Sequence, residues 1–195
     1  MAIKSVKNKT RSGSLLIGNP PFIPTDFESI ATLTGNGSAN NLTFSSIPST
    51  YKHLQIRSLV GLAGGQSFAA LEFNADSSAT YAWHRLFADG ASVGASGLTT
   101  RTNTHSTIMT GGNTVPNALA ASIVDIHDYA STTKNKTVRT FSGLDTNNNV
   151  TDYNFLQLSS ALWPSTSAIT TIKIISLNSL AFSRTSVFSL YGIKG

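Results

Sequence analysis

From Ser29 onward, hydrophobic and polar positions alternate in short runs, each closed by turn-forming residues. In "YKHLQIRSLVGL", Leu54 and Ile56 fall on one parity and His53, Gln55 and Arg57 on the other. That period of two is the mark of a half-buried strand. In "FAALEFNAD", Leu71 and Phe73 oppose Glu72 and Asn74 in the same way. "SIATLTG" stops at Gly35-Asn36-Gly37-Ser38, and "KNKTVRTFSGL" stops at "DTNNN"; both are strong turn sequences. "ALAASIVDIHDYA" has enough alanine to score as helix, but β-branched Ile123, Val124 and Ile126 with alternating Asp125 and His127 favour a strand. "NLTFSSI", "YAWHRLFADG", "THSTIMT", "YNFLQLSSALW", "AITTIKIISL" and the closing "VFSLYGI" complete a set of about ten strands with no helix. Strands at this spacing predict an all-β fold, an antiparallel, jelly-roll-like β-sandwich. The last strand runs almost to Gly195. It is expected inside a sheet, paired on both sides, because an exposed apolar edge invites aggregation.

The first 28 residues read differently. "GNPPFIP" packs three of the six prolines into Pro20–Pro24. Proline removes a backbone donor and fixes φ, so this stretch does not join a regular ladder. Yet Leu15, Leu16, Ile17, Phe22, Ile23 and Phe27 are too apolar for a free linker. The expected organisation is an extended arm over residues 1–28 and a sandwich over 29–195. The arm wants a surface to lie on.

Charge sharpens that division. The chain carries a net +5, but Lys4, Lys7, Lys9 and Arg11 have no acid among them, and beyond them ten basic residues face nine acidic ones. The arm is basic and the body nearly neutral. Lys4, Lys7, Lys9, Arg11, Leu15, Leu16, Ile17, Phe22 and Ile23 are therefore the candidate assembly anchors. Nucleic acid is not the expected partner, because four charges without base-reading residues give only weak, non-specific affinity. Charged residues make up only 12% of the chain, about half the usual share. Ser, Thr, Asn and Gly fill the gap, a composition suited to an extracellular or virion-surface β-protein. There is no cysteine, which removes disulfides and thiolate metal sites. No run reaches the roughly 18 apolar residues of a membrane span, and "SLLIG" is too short for a secretory core.

Candidate chemistry is thin. Asp125 and His127 share one face of a strand, where both could reach one ion, but no second His-rich spacing supplies further ligands. A polar, solvent-facing ladder is the better reading. No "GxSxG" elbow is present, and Glu28 and Glu72 are the only glutamates. The glycine-rich "GNGS", "GLAGG" and "TGGN" lack the Lys-Ser/Thr of a phosphate loop and read as turns. No catalytic set, cofactor or metal is expected. Trp163, before Pro164 at a strand-to-loop border, is the one candidate glycan contact, since an exposed aromatic face stacks on sugar rings; the competing role is core filling.

Three phrases carry a family likeness. "LTFSSIPSTYKHLQIR" (42–57), "IVDIHDYASTTKNKTVRTFSG" (123–143) and the terminal "FSLYGIKG" (188–195) resemble tailed-bacteriophage virion proteins, especially those of cyanophages and marine phages. The likeness covers about Ser29 to Gly195. It implies a non-enzymatic structural protein located in the virion, decorating capsid or tail; the basic and apolar residues of the arm, which are less typical of the family, add the expectation that it anchors to neighbouring virion proteins. It also implies a homo-oligomer, most simply a trimer, since repeated copies match a lattice or fibre axis. The alternative is a tail-fibre module that recognises a host-surface glycan or protein receptor.

Overall fold

The computed structural model describes residues 26–105, 107–112, 118–146 and 154–195. Among these, every regular element is a strand: β1 (Phe27–Thr34), β2 (Asn41–Phe44), β3 (His53–Val60), β4 (Ser67–Phe73), β5 (Tyr81–Ala88), β6 (Val93–Arg101), β7 (Ile108–Thr110), β8 (Ala120–His127), β9 (Lys136–Leu144), β10 (Phe155–Trp163), β11 (Ile172–Ser176) and β12 (Val187–Ile193). They form two antiparallel sheets, one of eight strands in the order β1-β12-β3-β8-β9-β10-β5-β6 and one of four in the order β2-β11-β4-β7. This is the expected antiparallel sandwich. The first strand starts at Phe27, two residues before the alternation became legible. The spacing gave no sign of β6, whose "VGASGLTTR" carries small and polar residues and forms the exposed outer edge of the large sheet.

The alternation in β3 and β12 decides where the core sits. Leu54 and Ile56 from β3, Val124 and Ile126 from β8, and Phe188 and Leu190 from β12 point inward and are fully buried. They face Leu71, Phe73, Ile172 and Ile174 of the small sheet in one continuous cluster. Each such side chain contributes roughly 1.5–3 kcal/mol on burial. The closing strand is internal, as expected: Leu190 pairs with Ala31 of β1 on one side and Ile56 of β3 on the other. Gly192 also faces inward, and the Tyr51 ring lies over it where any Cβ would sit, closing that end of the sandwich.

Aromatic side chains join β10 and β5 to β4 of the small sheet. The Tyr81 and Trp163 rings stack at 6.3 Å, with Phe73 at 6.2 Å and 5.5 Å from them. The amide of Phe73 donates to the Tyr81 hydroxyl at 3.0 Å, tying β4 to β5. The segment after β6 then folds back along β4. The amide of Thr104 donates to the Leu71 carbonyl at 2.9 Å, and its hydroxyl accepts from the Leu71 amide at 2.8 Å.

Candidate assembly face

Along β9 and β10 the usual sense of a sandwich is reversed. The inward positions of the large sheet carry polar groups in two cross-strand rows. One runs Ser58–Ser122–Ser142–Gln157, the other Thr140–Ser159–Arg85. Gln157 is 1% exposed and Ser159 3%. The reason is local: β7 packs against β8 and β9 at this end, which leaves room for small side chains. The Thr107 carbonyl accepts from the Ser142 hydroxyl and from Gln157 Nε2, each at 3.2 Å. Arg85 donates to Gln157 Oε1 at 3.2 Å and lies within 4.7 Å of the Phe68 and Phe87 ring centres, a cation–π contact on two sides. Burial pulls its pKa below the usual guanidinium range. The hydroxyls of Ser58, Ser122, Thr140 and Ser159 are buried with no hydrogen-bond partner among the described residues.

The large apolar side chains of the same strands point outward. One cross-strand row runs Arg57–Ile123–Phe141–Leu158–Leu86. Phe141 is 54% exposed and Leu86 60%. The next row, two residues along each strand, runs Leu59–Ala121–Gly143–Leu156–Ala88–Val93. Its small residues Ala121 and Gly143 form the floor of an open trough of about 690 Å³, walled by Leu59, Ile123, Phe141 and Leu156. The outer face thus has a ridge beside a trough. A second open depression of about 710 Å³ lies on the same face, against Leu162 and Leu98.

Toward the other end of these strands the outer face turns polar. Arg57 Nε donates to Gln55 Oε1 at 2.9 Å, and Gln55 Nε2 donates to Asp125 Oδ1 at 2.8 Å. His127 Nε2 and Arg139 Nη2 are 3.2 Å apart, and the His53 and His127 rings meet edge-on at 5.1 Å. The amide of Asp128 donates to His53 Nδ1 at 3.0 Å, which fixes that nitrogen as an acceptor. Burial and the neighbouring His127 lower the His53 pKa, in keeping with a neutral ring. The Lys134 ammonium, 2.7 Å from Asp128 Oδ2, holds that carboxyl below its ordinary range. Asp125 and His127 therefore take part in the polar ladder expected of them. Among the described residues no group of three or more His, Asp or Glu side chains is placed to hold a metal ion.

The remaining expected site residues fall as follows. Lys4, Lys7, Lys9, Arg11, Leu15, Leu16, Ile17, Phe22 and Ile23 lie outside the described residues. Trp163 is not a surface platform. It is 2% exposed, its ring packs against Phe73 and Tyr81, and its Nε1 donates to Asp76 Oδ2 at 2.7 Å. The partner that satisfies the indole N–H lies in the adjacent turn, so the ring is drawn into the core and offers no face to a sugar.

Compared with known proteins, the chain matches no family model and no curated protein. The outer face is therefore read on its own chemistry. Its signal in the sequence is one of phase: "TVRTFSG" places Phe141 on the parity of Thr137 and Arg139, and "LQLSSALW" places Leu156 and Leu158 on the parity opposite Trp163. The phases become informative once the register shows which parity is enclosed.

Proposed function

We propose that this protein is a non-enzymatic structural component of a tailed-phage virion, built into the particle through protein–protein contacts. One observation carries the reading: β9 and β10 bury serine, threonine and glutamine while exposing leucine and phenylalanine on a contiguous face. Contiguous apolar patches of this size on a soluble chain mark surfaces that another protein covers. The low charge of the body and the phrases resembling phage virion proteins support the same reading. The basic and apolar arm, residues 1–25 of which precede the described chain, is the second proposed attachment element. In this reading Leu15, Leu16, Ile17, Phe22 and Ile23 seat on a neighbouring virion protein, with Lys4, Lys7, Lys9 and Arg11 adding a salt-sensitive attraction. With Trp163 enclosed, the host-glycan alternative loses its named contact residue.

Locating the chain by cryo-electron microscopy of purified particles tests the proposal. The expected result is many ordered copies on capsid or tail. Deleting residues 1–24 should leave the sandwich folded but empty those positions on the particle. Normal occupancy by the truncated chain would show that the arm is not the anchor, and absence of the full chain from particles would overturn the virion assignment.

A further inference from the structure

We infer that the partner covering the outer face of the eight-stranded sheet is a second copy of this chain, paired face to face about a two-fold axis. The inference rests on the reading of that face as an assembly surface, and adds to it the identity and geometry of the occupant.

Leu59, Leu86, Val93, Ile123, Phe141, Leu156, Leu158 and Leu162 are each partly exposed on this face. Together they offer on the order of 800 Å² of apolar surface, about what one partner gives to a standard-sized interface. The ridge and the trough are neighbouring rows, two residues apart on each strand, or roughly 7 Å. Consider a two-fold axis lying in the interface, across the strands and midway between the rows. It sends each ridge position onto the trough position of the same strand in the other copy. Phe141 of one copy then lies over Gly143 of the other, Ile123 over Ala121, and Leu86 over Ala88. Large side chains meet small ones on β8, β9 and β5; β10 sets Leu158 against Leu156, and at the border Arg57 of β3 lies over Leu59. A surface that fits itself after rotation is what an isologous contact requires.

The apolar rows carry a single charged group, Arg57, at one border. The same rotation carries Arg139 of one copy toward the position of Asp145 in the other, because both lie equally far from the axis along β9 and its exit. Opposite charges thus meet at the rim, and no like pair is forced into the centre. Apolar centre and polar border are the anatomy of a stable interface. A two-fold contact builds even-numbered assemblies, so the trimer expected by analogy would need a different surface.

Sedimentation velocity on the full chain, at concentrations on the order of 1–100 µM, tests the pairing. The expected species has twice the 20.6 kDa chain mass. Phe141→Glu should weaken self-association at least about 100-fold, and Gly143→Phe about 10-fold or more, with circular dichroism unchanged. The combined Phe141→Ala/Gly143→Phe variant exchanges knob and hole and should recover pairing to within about 10-fold of the natural chain. A monomer at the highest concentration, pairing indifferent to Phe141→Glu, or no recovery in a natively folded double variant would each overturn the inference. So would a chain that pairs only once residues 1–25 are removed, since the arm would then be the occupant. A chain monomeric in solution yet present in particles sinks the pairing and leaves the virion reading; a paired chain absent from particles does the reverse.

Discussion

His105 is expected to make the stability of this sandwich sensitive to mild acid. Its ring stacks on Trp83 at 4.9 Å and 20°, in the segment that folds back along β4. Burial there, reinforced by the nearby positive charges of Arg101 and Arg85, lowers its pKa to about 4. In the unfolded chain the ring titrates near its ordinary 6.5. The native state thus keeps the imidazole neutral over a range where the unfolded state takes up a proton. The stabilisation is fully present above about pH 6.5, is lost progressively as the pH falls toward 4, and levels off below that. Between about pH 7.5 and about pH 5 the full shift corresponds to about 2 kcal/mol. The ring is only partly enclosed and solvent screens the two arginines, so a loss of about 1 kcal/mol is expected.

Urea denaturation at the two pH values measures this directly, and 1 kcal/mol moves the midpoint by roughly 0.5 M. His53, whose pKa is also lowered, adds a loss of the same sign. The His105 share is therefore read from a variant. His105 has φ 43°, in the left-handed region, and its amide donates to Asn103 Oδ1 at 2.9 Å. Asparagine tolerates that backbone better than most residues, so His105→Asn keeps the turn and removes the titrating ring. The variant should be less stable at neutral pH and should show a visibly shallower pH dependence. An identical slope in the natural chain and the variant would refute the assignment.

Two further perturbations probe the enclosed ends of the sandwich. Trp163→Ala removes a ring packed against Phe73 and Tyr81 and leaves Asp76 without its indole donor, so it should cost about 3–5 kcal/mol in the same denaturation experiment, whereas a surface sugar platform would be replaced with little loss. Gly192→Ala places a methyl 2.3 Å from the Tyr51 ring, which must swing away, so it should destabilise by about 1–3 kcal/mol; a thermal midpoint equal to that of the natural chain would show that Tyr51 does not close that end.

Strand existence was legible because alternation is local: Leu54 and Ile56 stand out against His53, Gln55 and Arg57 whatever the sheet order. The interior position of β12 was legible for the same reason, since its aromatic and β-branched residues are too apolar for an edge. β6 was not, because glycine, alanine and serine suit an exposed border strand and carry no periodic signal. The enclosure of Trp163 depends on Asp76, 87 residues away, and no spacing reports such a contact.

The outer face was hidden for a deeper reason. Alternation separates a strand into two faces but does not say which is enclosed. In β3 the answer follows from chemistry, because only one face is apolar. In β10 both choices look wrong: one face carries Leu156, Leu158 and Leu162, the other Gln157, Ser159 and Trp163. The register chooses the second for the interior, because Trp163 must meet Phe73 and Tyr81 and Gln157 must meet Thr107 and Arg85. The leucines are then left outside by covalent necessity, since successive side chains point to opposite sides of a strand. A chain whose interior requires Trp163 and Gln157 on one parity could still have carried threonine or lysine on the other. Leu156, Leu158 and, one strand over, Phe141 stand there instead. The hydrophobic surplus is therefore a property of the outer face itself.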